Sequence, residues 1–359
     1  MPFASGNRWL FVWLSSLIVM VITLVMIGGI TRVTGSGLSM VEWRPLMGWL
    51  PPLNEKEWLR VFDLYKKSPE FISLNSWMDL AAFKGIFWWE YIHRLWGRLI
   101  GLAFFIPLIF FLIFKQVPKQ LTPNLILLII LGCAQGFIGW WMVKSGLSGE
   151  PAVSQYRLTV HLGMAFLILG LLVWTSMDLL IVSKTKRNNS VVLHAEIVCL
   201  MILFTILAGA LVAGLDAGRI YNSFPFMGNN FVPEDYLAMK VTWRNFFENP
   251  ATVQFNHRLL AITTSLAVAW LLFRCLRPNI SSQTRLAIYS LAALVALQFS
   301  LGVSALINGV PDNLAVAHQL VGVCVFINSL IVTRFLGTAR EVSNFVSVIG
   351  EESKKRTKV

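Results

Sequence analysis

Eight long apolar stretches limit what this chain can fold into. Each is close to or above the about 20 residues that a helix needs to cross the hydrocarbon core of a bilayer. The runs are continuous in apolar character and do not alternate in polarity, so they predict membrane-spanning helices and not the strands of a barrel. The stretches are residues 9–30, 88–114, 121–142, 155–182, 192–214, 252–273, 284–309 and 313–335.

The composition supports this interpretation. Charged residues make up 13% of the 359 residues and hydrophobic residues 56%, whereas a soluble domain carries about 25% charged residues. An ordinary soluble enzyme and a disordered chain are both excluded. The four cysteines all fall in apolar runs without a CxxC pair, so we expect neither a disulfide framework nor a zinc site. They are Cys133, Cys199, Cys275 and Cys324.

The net charge of +12 has two interpretations, a nucleic-acid partner or the bias of a multi-pass protein. The distribution favours the second, because the basic residues crowd into the short connections and the tail. We therefore expect no nucleic-acid partner and place both termini in the cytoplasm. Two long loops, about 31–87 and 215–251, then lie on the outer side. The first stretch is too long for a signal peptide, so we expect a multi-pass protein of a bacterial inner membrane.

Four motif pairs recur in the same order in the two halves, which predicts an internal repeat. The fold class is thus all-α, with eight transmembrane helices in two tandem four-helix bundles. We assign 1–187 to the first half, 188–340 to the second and 341–359 to a basic cytoplasmic tail. The pairs are Glu90–Leu95 with Gln254–Leu259, Arg44–Gly48 with Phe224–Gly228, Gln135 and Gly139 with Gln298 and Gly302, and Val160–Leu162 with Ala317–Gln319.

Four of the five histidines lie at similar depth in alternate spans. His93, His161, His257 and His318 are each about five to nine residues inside the outer end, a depth of roughly 8–13 Å at the helical rise. Ionisable groups inside a membrane are costly and usually functional. His194 has no counterpart and is interpreted as structural.

Two histidines per half on alternate helices predict one bis-histidine haem site in each bundle. Zinc or copper held by four imidazoles would need one compact cluster instead. Nearby arginines are suited to anionic haem propionates, although each is equally compatible with a side chain that reaches the membrane interface. These arginines are Arg94, Arg98, Arg157 and Arg258.

The two predicted sites differ in one chemically important position. Glu90 lies three residues before His93 and shares its helical face, whereas the counterpart before His257 is Gln254. A carboxylate exchanges protons and stabilises cations, which an amide does not do at working pH. This difference favours chemistry at the first site and an accessory role for the second. A plain ion pair between Glu90 and Arg94 is the simpler alternative.

Several long motifs resemble those of haem A synthases of the alphaproteobacterial and mitochondrial type. The resemblance extends from about Gly28 to about Arg334. The motifs are Phe83–Arg98, Pro151–Leu158 before His161, Leu215–Gly218 leading to Tyr221–Pro225, Gln254–Arg258 and Ala317–Gln319.

This resemblance implies oxidation of a ring methyl of haem O to the formyl group of haem A, for use by cytochrome c oxidase. It implies that His93 and His161 flank the substrate haem, that His257 and His318 ligate a haem b cofactor, and that Glu90 is the catalytic carboxylate. Contact with a haem O synthase or oxidase assembly factors would follow. Some bacterial relatives carry a cysteine pair in an outer loop, and this chain has none there.

Three other functions remain open on the residues alone. A two-haem electron carrier explains the histidines but not the exchange of Glu90 for Gln254. A haem transporter needs reversible ligation, and a metal transporter needs clustered histidines. The sequence does not fix the oligomeric state, so a homo-oligomer stays open, as do the electron acceptor, the source of the formyl oxygen and the route of haem entry from the lipid.

Overall fold

The computed structural model describes residues 5–42, 48–149, 151–180, 189–276 and 280–337. Some features predicted above fall outside these ranges: most of the Arg44–Gly48 motif, the boundary between the two halves at residues 187 and 188, and the tail 341–359.

The described residues form a helical protein with ten α-helices and no extended strand. Eight of the helices are long and apolar enough to cross a membrane, as the sequence predicts. The helices are α1 (Ser5–Val33), α2 (Glu55–Tyr65), α3 (Leu80–Ile113), α4 (Thr122–Gly146), α5 (Gln155–Leu180), α6 (Asn189–Gly214), α7 (Asn245–Glu248), α8 (Pro250–Arg274), α9 (Ser282–Ile307) and α10 (Asp312–Gly337). Helices α2 and α7 are the two short ones.

Helix α3 begins eight residues before the predicted apolar stretch. The Asp79 carboxylate caps it by accepting a hydrogen bond from the backbone N–H of Ala82 at 2.8 Å, which satisfies one of the donors that a helix start leaves unpaired. The first turns then bury Phe83 and Phe87 under the loop helix α2. The hydropathy pattern marks only the apolar stretch, so it misses these added turns.

Four helices form the centre of the molecule. Helices α1, α5, α6 and α10 pack on one another, and α3, α4, α8 and α9 lie outside them. Phe166 of α5 meets Phe326 of α10 edge to face at 5.2 Å between ring centres. Leu14, Leu169 and Val198 are buried completely nearby. Burial of these apolar side chains joins the first four long helices to the last four.

The two long connections, residues 34–79 and 215–249, lie at the same end of the bundle, which we call the long-loop face. Arg32 at the end of α1 forms an ion pair of 3.1 Å with Asp216, which follows α6. The first connection contains α2, which starts three residues after Pro52 and is capped by Asn54. Both loops therefore fold back over the helix ends.

Asn249 fastens the second long loop to α8. Its side-chain oxygen accepts hydrogen bonds from the N–H groups of Ala251 and Thr252, and its amide donates to the carbonyl of Asp235 at 2.9 Å. Asn245, fully buried, donates to the carbonyl of Met239 at 3.0 Å. The side chains thus replace the backbone partners that an irregular loop lacks.

Replacing Asn249 by Ala removes the helix cap and the bond to Asp235. We expect a loss of stability of about 1–2 kcal/mol, seen as a lower midpoint of thermal unfolding and faster proteolysis of the second loop in detergent solution. Asn230→Ala is the matched control, since its amide bonds only weakly to Glu234 at 3.3 Å. Equal behaviour of the two variants would contradict this anchoring role.

Candidate functional site

Each of the four histidines packs its ring on a glycine of the preceding long helix. A Cβ placed on any of these glycines would lie 2.8–3.1 Å from the imidazole Cε1, closer than ordinary carbon contacts. The glycines therefore leave the space that each ring fills. The pairs are His93 with Gly28, His161 with Gly139, His257 with Gly209, and His318 with Gly302.

His161 lies close enough to His93, and His257 to His318, for a charge on one ring to act on the other. That each of these pairs ligates a haem stays a prediction. His194 stands apart, with its Nδ1 3.3 Å from a guanidinium nitrogen of Arg274. Among the described residues, no three His, Cys, Asp or Glu side chains come together as a metal-binding cluster.

The ring nitrogens are suited to axial ligation of haem iron. Nδ1 of His257 lies 3.1 Å from the carbonyl oxygen of Thr205, to which it donates, and this tautomer leaves Nε2 available to a metal. In His93, His161 and His318 the Nδ1 atoms are buried without a hydrogen-bond partner. In these rings Cε1 and Nδ1 lie against the glycine, so Nε2 is the nitrogen left for a metal. The Nε2 of His318 lies 3.3 Å from the side-chain amide nitrogen of Gln298.

Glu90 is almost fully buried at the junction of α3 with the first long loop. One carboxylate oxygen accepts hydrogen bonds from the Ser39 hydroxyl and the Met40 N–H, both at 2.7 Å. The other pairs with the Arg94 guanidinium. Arg94 also donates to the carbonyls of Met40 at 3.0 Å and Glu42 at 3.3 Å. Together, Glu90 and Arg94 hold this loop over the first histidine pair.

The second half repeats this arrangement with an amide in place of the carboxylate. Gln254 donates to the carbonyl of Tyr221 at 3.1 Å. Arg258 donates to the same carbonyl at 2.7 Å and to that of Ser223 at 2.8 Å. Both halves therefore clamp a loop with two side chains one helical turn apart. The difference is one of charge: the first clamp contains a buried carboxylate and the second does not.

The remaining predicted arginines contact tryptophans near the first pair. The Arg98 guanidinium lies 5.8 Å from the ring centre of Trp49. Arg157 lies 4.4 Å from the ring centre of Trp141 and donates to its carbonyl at 2.6 Å. Cation–π contacts of this kind hold a guanidinium in place beside an apolar site. A role toward propionates stays a prediction for all four arginines.

The halves also differ in how their second and third long helices meet. Helix α8 packs on α9, whereas their counterparts α3 and α4, both described throughout, make at most isolated contacts. Helices α3 and α4 carry four glycines that lie one or two helical turns from His93 and from Gly139, the glycine that receives His161. A Cβ on any of the four would meet nothing within 4 Å. They are Gly97, Gly101, Gly132 and Gly136.

Larger residues occupy the corresponding positions of the second half. Counting from His257 and Gly302, these positions are Ala261, Ser265, Val295 and Phe299. Val295 is buried, and Phe299 meets Phe224 of the second loop at 5.9 Å between ring centres. Helices α8 and α9 are thus packed together where α3 and α4 are apart, although the four histidines are partly exposed to a similar degree in both halves.

Sequence reasoning missed several residues that shape these sites. Ser39 and Thr205 were not singled out, nor were Gly28 and Gly209, which receive His93 and His257. A closer alignment of the two halves would have paired Gly28 with Gly209, as it paired Gly139 with Gly302. The hydroxyl of Ser39 lies in an irregular loop, for which the sequence carries no such signal.

Eight apolar helices long enough to cross a membrane define the class of this protein, a multi-pass helical membrane protein. Comparison with known families gives a more specific assignment. The chain matches the family model described as COX15-CtaA, cytochrome oxidase assembly protein, over residues 11–330. The match covers most of the chain, which therefore belongs to this family.

Curated relatives are similar over nearly their whole length. The chain is 43% identical over 325 residues to a protein of Nitrosospira multiformis named heme A synthase, covering 89% of this chain and 91% of the relative. It is 44% identical over 321 residues to the heme A synthase of Paracoccus denitrificans, covering 88% and 84%. A heme A synthase of Nitrosomonas eutropha is 40% identical over 339 residues, covering 93% and 95%.

Replacing Arg94 by Ala leaves the Glu90 carboxylate buried without its cation. Breaking a buried pair from one side costs about 3–5 kcal/mol, so we expect a marked fall in the thermal midpoint and faster cleavage of the first long loop. The double variant Glu90→Gln with Arg94→Ala is the control, because it removes both charges. If the double variant were no more stable than Arg94→Ala, the ion pair would not be what holds this loop.

Proposed function

We propose that this protein is a haem A synthase, which oxidises a ring methyl of haem O to the formyl group of haem A. The observation that carries the proposal is the presence of two similar buried imidazole pairs, of which only one has a carboxylate beside it. The names of the relatives point to the same reaction. Haem O is then the substrate, and the product serves cytochrome c oxidase.

The first half is the proposed substrate site. His93 and His161 flank the substrate haem, and Glu90 lies on the same face of α3 as His93. The open seam between α3 and α4 supports this assignment, since a substrate that arrives through lipid needs a lateral entrance. The contact between α8 and α9 supports the assignment of the second half to a resident haem b.

Haem b, when bound, would supply one-electron redox chemistry. The residues that would hold it are His257 and His318 at the iron, with Gln254 and Arg258 at its loop side. Thr205 fixes the His257 tautomer through its carbonyl, and Gly209 and Gly302 leave room for the rings.

Glu90 is the proposed catalytic carboxylate at the first site. The substrate methyl passes through a hydroxymethyl stage to the aldehyde, and each oxidation releases protons. Glu90 accepts such a proton or stabilises positive charge on the substrate, for which a buried carboxylate is suited. Arg94 positions the carboxylate, while Arg98 and Arg157 pair with the propionates of the substrate.

The cellular setting follows from the proposed reaction. We place the protein in a bacterial inner membrane, with both termini in the cytoplasm and the long-loop face outside. Its two halves, 1–187 and 188–340, form a tandem repeat, which the four glycine–histidine pairs support. Partners of this activity are the membrane lipid, a haem O synthase and assembly factors of cytochrome c oxidase.

Production of haem A in a host that makes haem O but no haem A tests the proposed reaction. We expect haem A in extracts of cells that express the wild-type chain, identified by chromatography and mass. Glu90→Gln should form none while binding both haems, because the amide fills the same space but does not exchange protons. Normal haem A formation by this variant would remove Glu90 from the mechanism. Gln254→Glu, at the equivalent position of the other half, is the matched control and should remain active.

Adding a methyl group at Gly302 tests the ligand role of His318 without changing the histidine. A Cβ there lies 2.8 Å from the His318 Cε1, so Gly302→Ala should displace the ring and lower the haem b content at least several-fold. Gly85→Ala is the control, since its Cβ would meet nothing within 4 Å. The measurement is the haem content of the two purified variants, together with the absorption bands of their low-spin haem. Full bis-histidine haem b in Gly302→Ala would contradict the assignment.

A further inference from the structure

A second buried carboxylate, Glu70, lies in the first long loop and has no part in the site described so far. Its side chain is 7% exposed. One of its oxygens accepts a hydrogen bond from the Tyr65 hydroxyl at 2.9 Å, and the Asn75 amide donates to that hydroxyl at 2.8 Å. Tyr65 is completely buried. Glu70 is therefore enclosed in a small polar cluster under an aromatic cover.

This cluster packs on the face of α3 that carries Glu90. The ring of Tyr65 stacks on Phe83 at 5.1 Å between ring centres. Phe83 and Phe87 are themselves in contact at 5.8 Å. These two residues and Glu90 are buried along one face of α3 at intervals of four and three residues. Glu70 and Glu90 thus belong to one packed region of the long-loop face.

Within this region burial is the main cause that raises the pKa of Glu70 and of Tyr65, and the negative charge of Glu90 raises both further. Tyr65, at the end of α2, is the hydrogen-bond partner of Glu70, and Glu90 is the charged group of α3 that acts on it. The nearby cation Lys66 is turned to solvent and paired with Asp63 at 3.0 Å.

We propose that Glu70 is a proton-holding partner of Glu90: when Glu90 takes a proton from the substrate, Glu70 releases one to the water at the long-loop face. This inference rests on the proposed role of Glu90 in haem A formation. One O–H bond forms at Glu90 and one breaks at Glu70, and no electron moves. The pair keeps the same total charge, so a proton leaves the apolar site without a change of net charge inside the protein. Glu70 is a positioning residue in this scheme, because it acts through Glu90.

The protonation behaviour of Glu70 fits this role. Burial raises the pKa of the Glu70 carboxyl to about 7, the hydrogen bond from Tyr65 lowers it, and the charge of Glu90 raises it. Neutralising Glu90 therefore lowers the pKa of Glu70 and favours proton release near neutral pH. A group with a pKa near the working pH is suited to both states.

Infrared titration of the purified full-length protein tests this coupling without requiring turnover. The C=O stretch of a protonated carboxyl is followed from acid to alkaline pH. We expect one band with a midpoint near 7 in the wild type, because exposed carboxyls titrate at about 4. Glu70→Gln keeps an acceptor for the Tyr65 hydroxyl and should abolish this band.

Two further variants should move the midpoint in opposite directions. Glu90→Gln removes the charge that favours the protonated form, so the midpoint should fall. Tyr65→Phe removes the hydrogen bond that favours the ionised form, so the midpoint should rise. Asp63→Asn is the control, because it removes an exposed carboxyl of α2, and it should leave the band unchanged. Survival of the band in Glu70→Gln, or an unmoved midpoint in Glu90→Gln, would overturn the proposal.

The pH profile of haem A formation links this titration to function. The wild-type profile should show a limb with a midpoint near 7 that Glu70→Gln lacks, while both haems remain bound. A purely structural Glu70 would leave the profile of Glu70→Gln unchanged, which would contradict the proposal. If the chain made no haem A at all, the proposed function would fail, whereas the infrared result would still report on the coupling of the two carboxylates.

Discussion

The close packing of four imidazoles on four glycines is the interaction on which the rest of the structure depends. An imidazole inside an apolar bundle needs both space and a partner for its nitrogens. The glycines supply the space, and each pair of rings leaves nitrogens without protein partners. The helices around the rings are then constrained in their spacing and rotation.

On this shared scaffold, small differences separate the two halves. The loop clamp of one half contains Glu90 and Arg94, and that of the other contains Gln254 and Arg258. Glycines leave the first bundle open between α3 and α4, and Val295 and Phe299 fill the corresponding space in the second. The first half therefore combines a gap between α3 and α4 with a carboxylate beside its histidines. We interpret this combination as the division between a site that turns over its ligand and one that keeps it.

The sequence was sufficient to predict the eight spans, because apolar length depends on residue type and spacing alone. The assignment of the histidines to two haem sites follows from the repeat and stays a prediction. The start of α3 at Leu80 was not predictable from hydropathy, since it depends on the Asp79 cap and on burial of Phe83 under α2. Likewise, the sequence predicted only one of the hydrogen-bond and ion-pair partners of Glu90. The pairing with Arg94 follows from helical spacing, whereas Ser39 and Met40 arrive from a loop whose path is set by tertiary packing.

Identification of the pigments in the purified wild-type protein tests the central claim of two unequal haem sites most directly. Acid extraction, chromatography and mass assignment should give one haem B per chain together with haem O, haem A or a hydroxylated intermediate between them. Two haem B per chain and no farnesylated haem would contradict the account and favour an electron carrier. In that case Glu90 would be an ordinary buried carboxylate paired with Arg94.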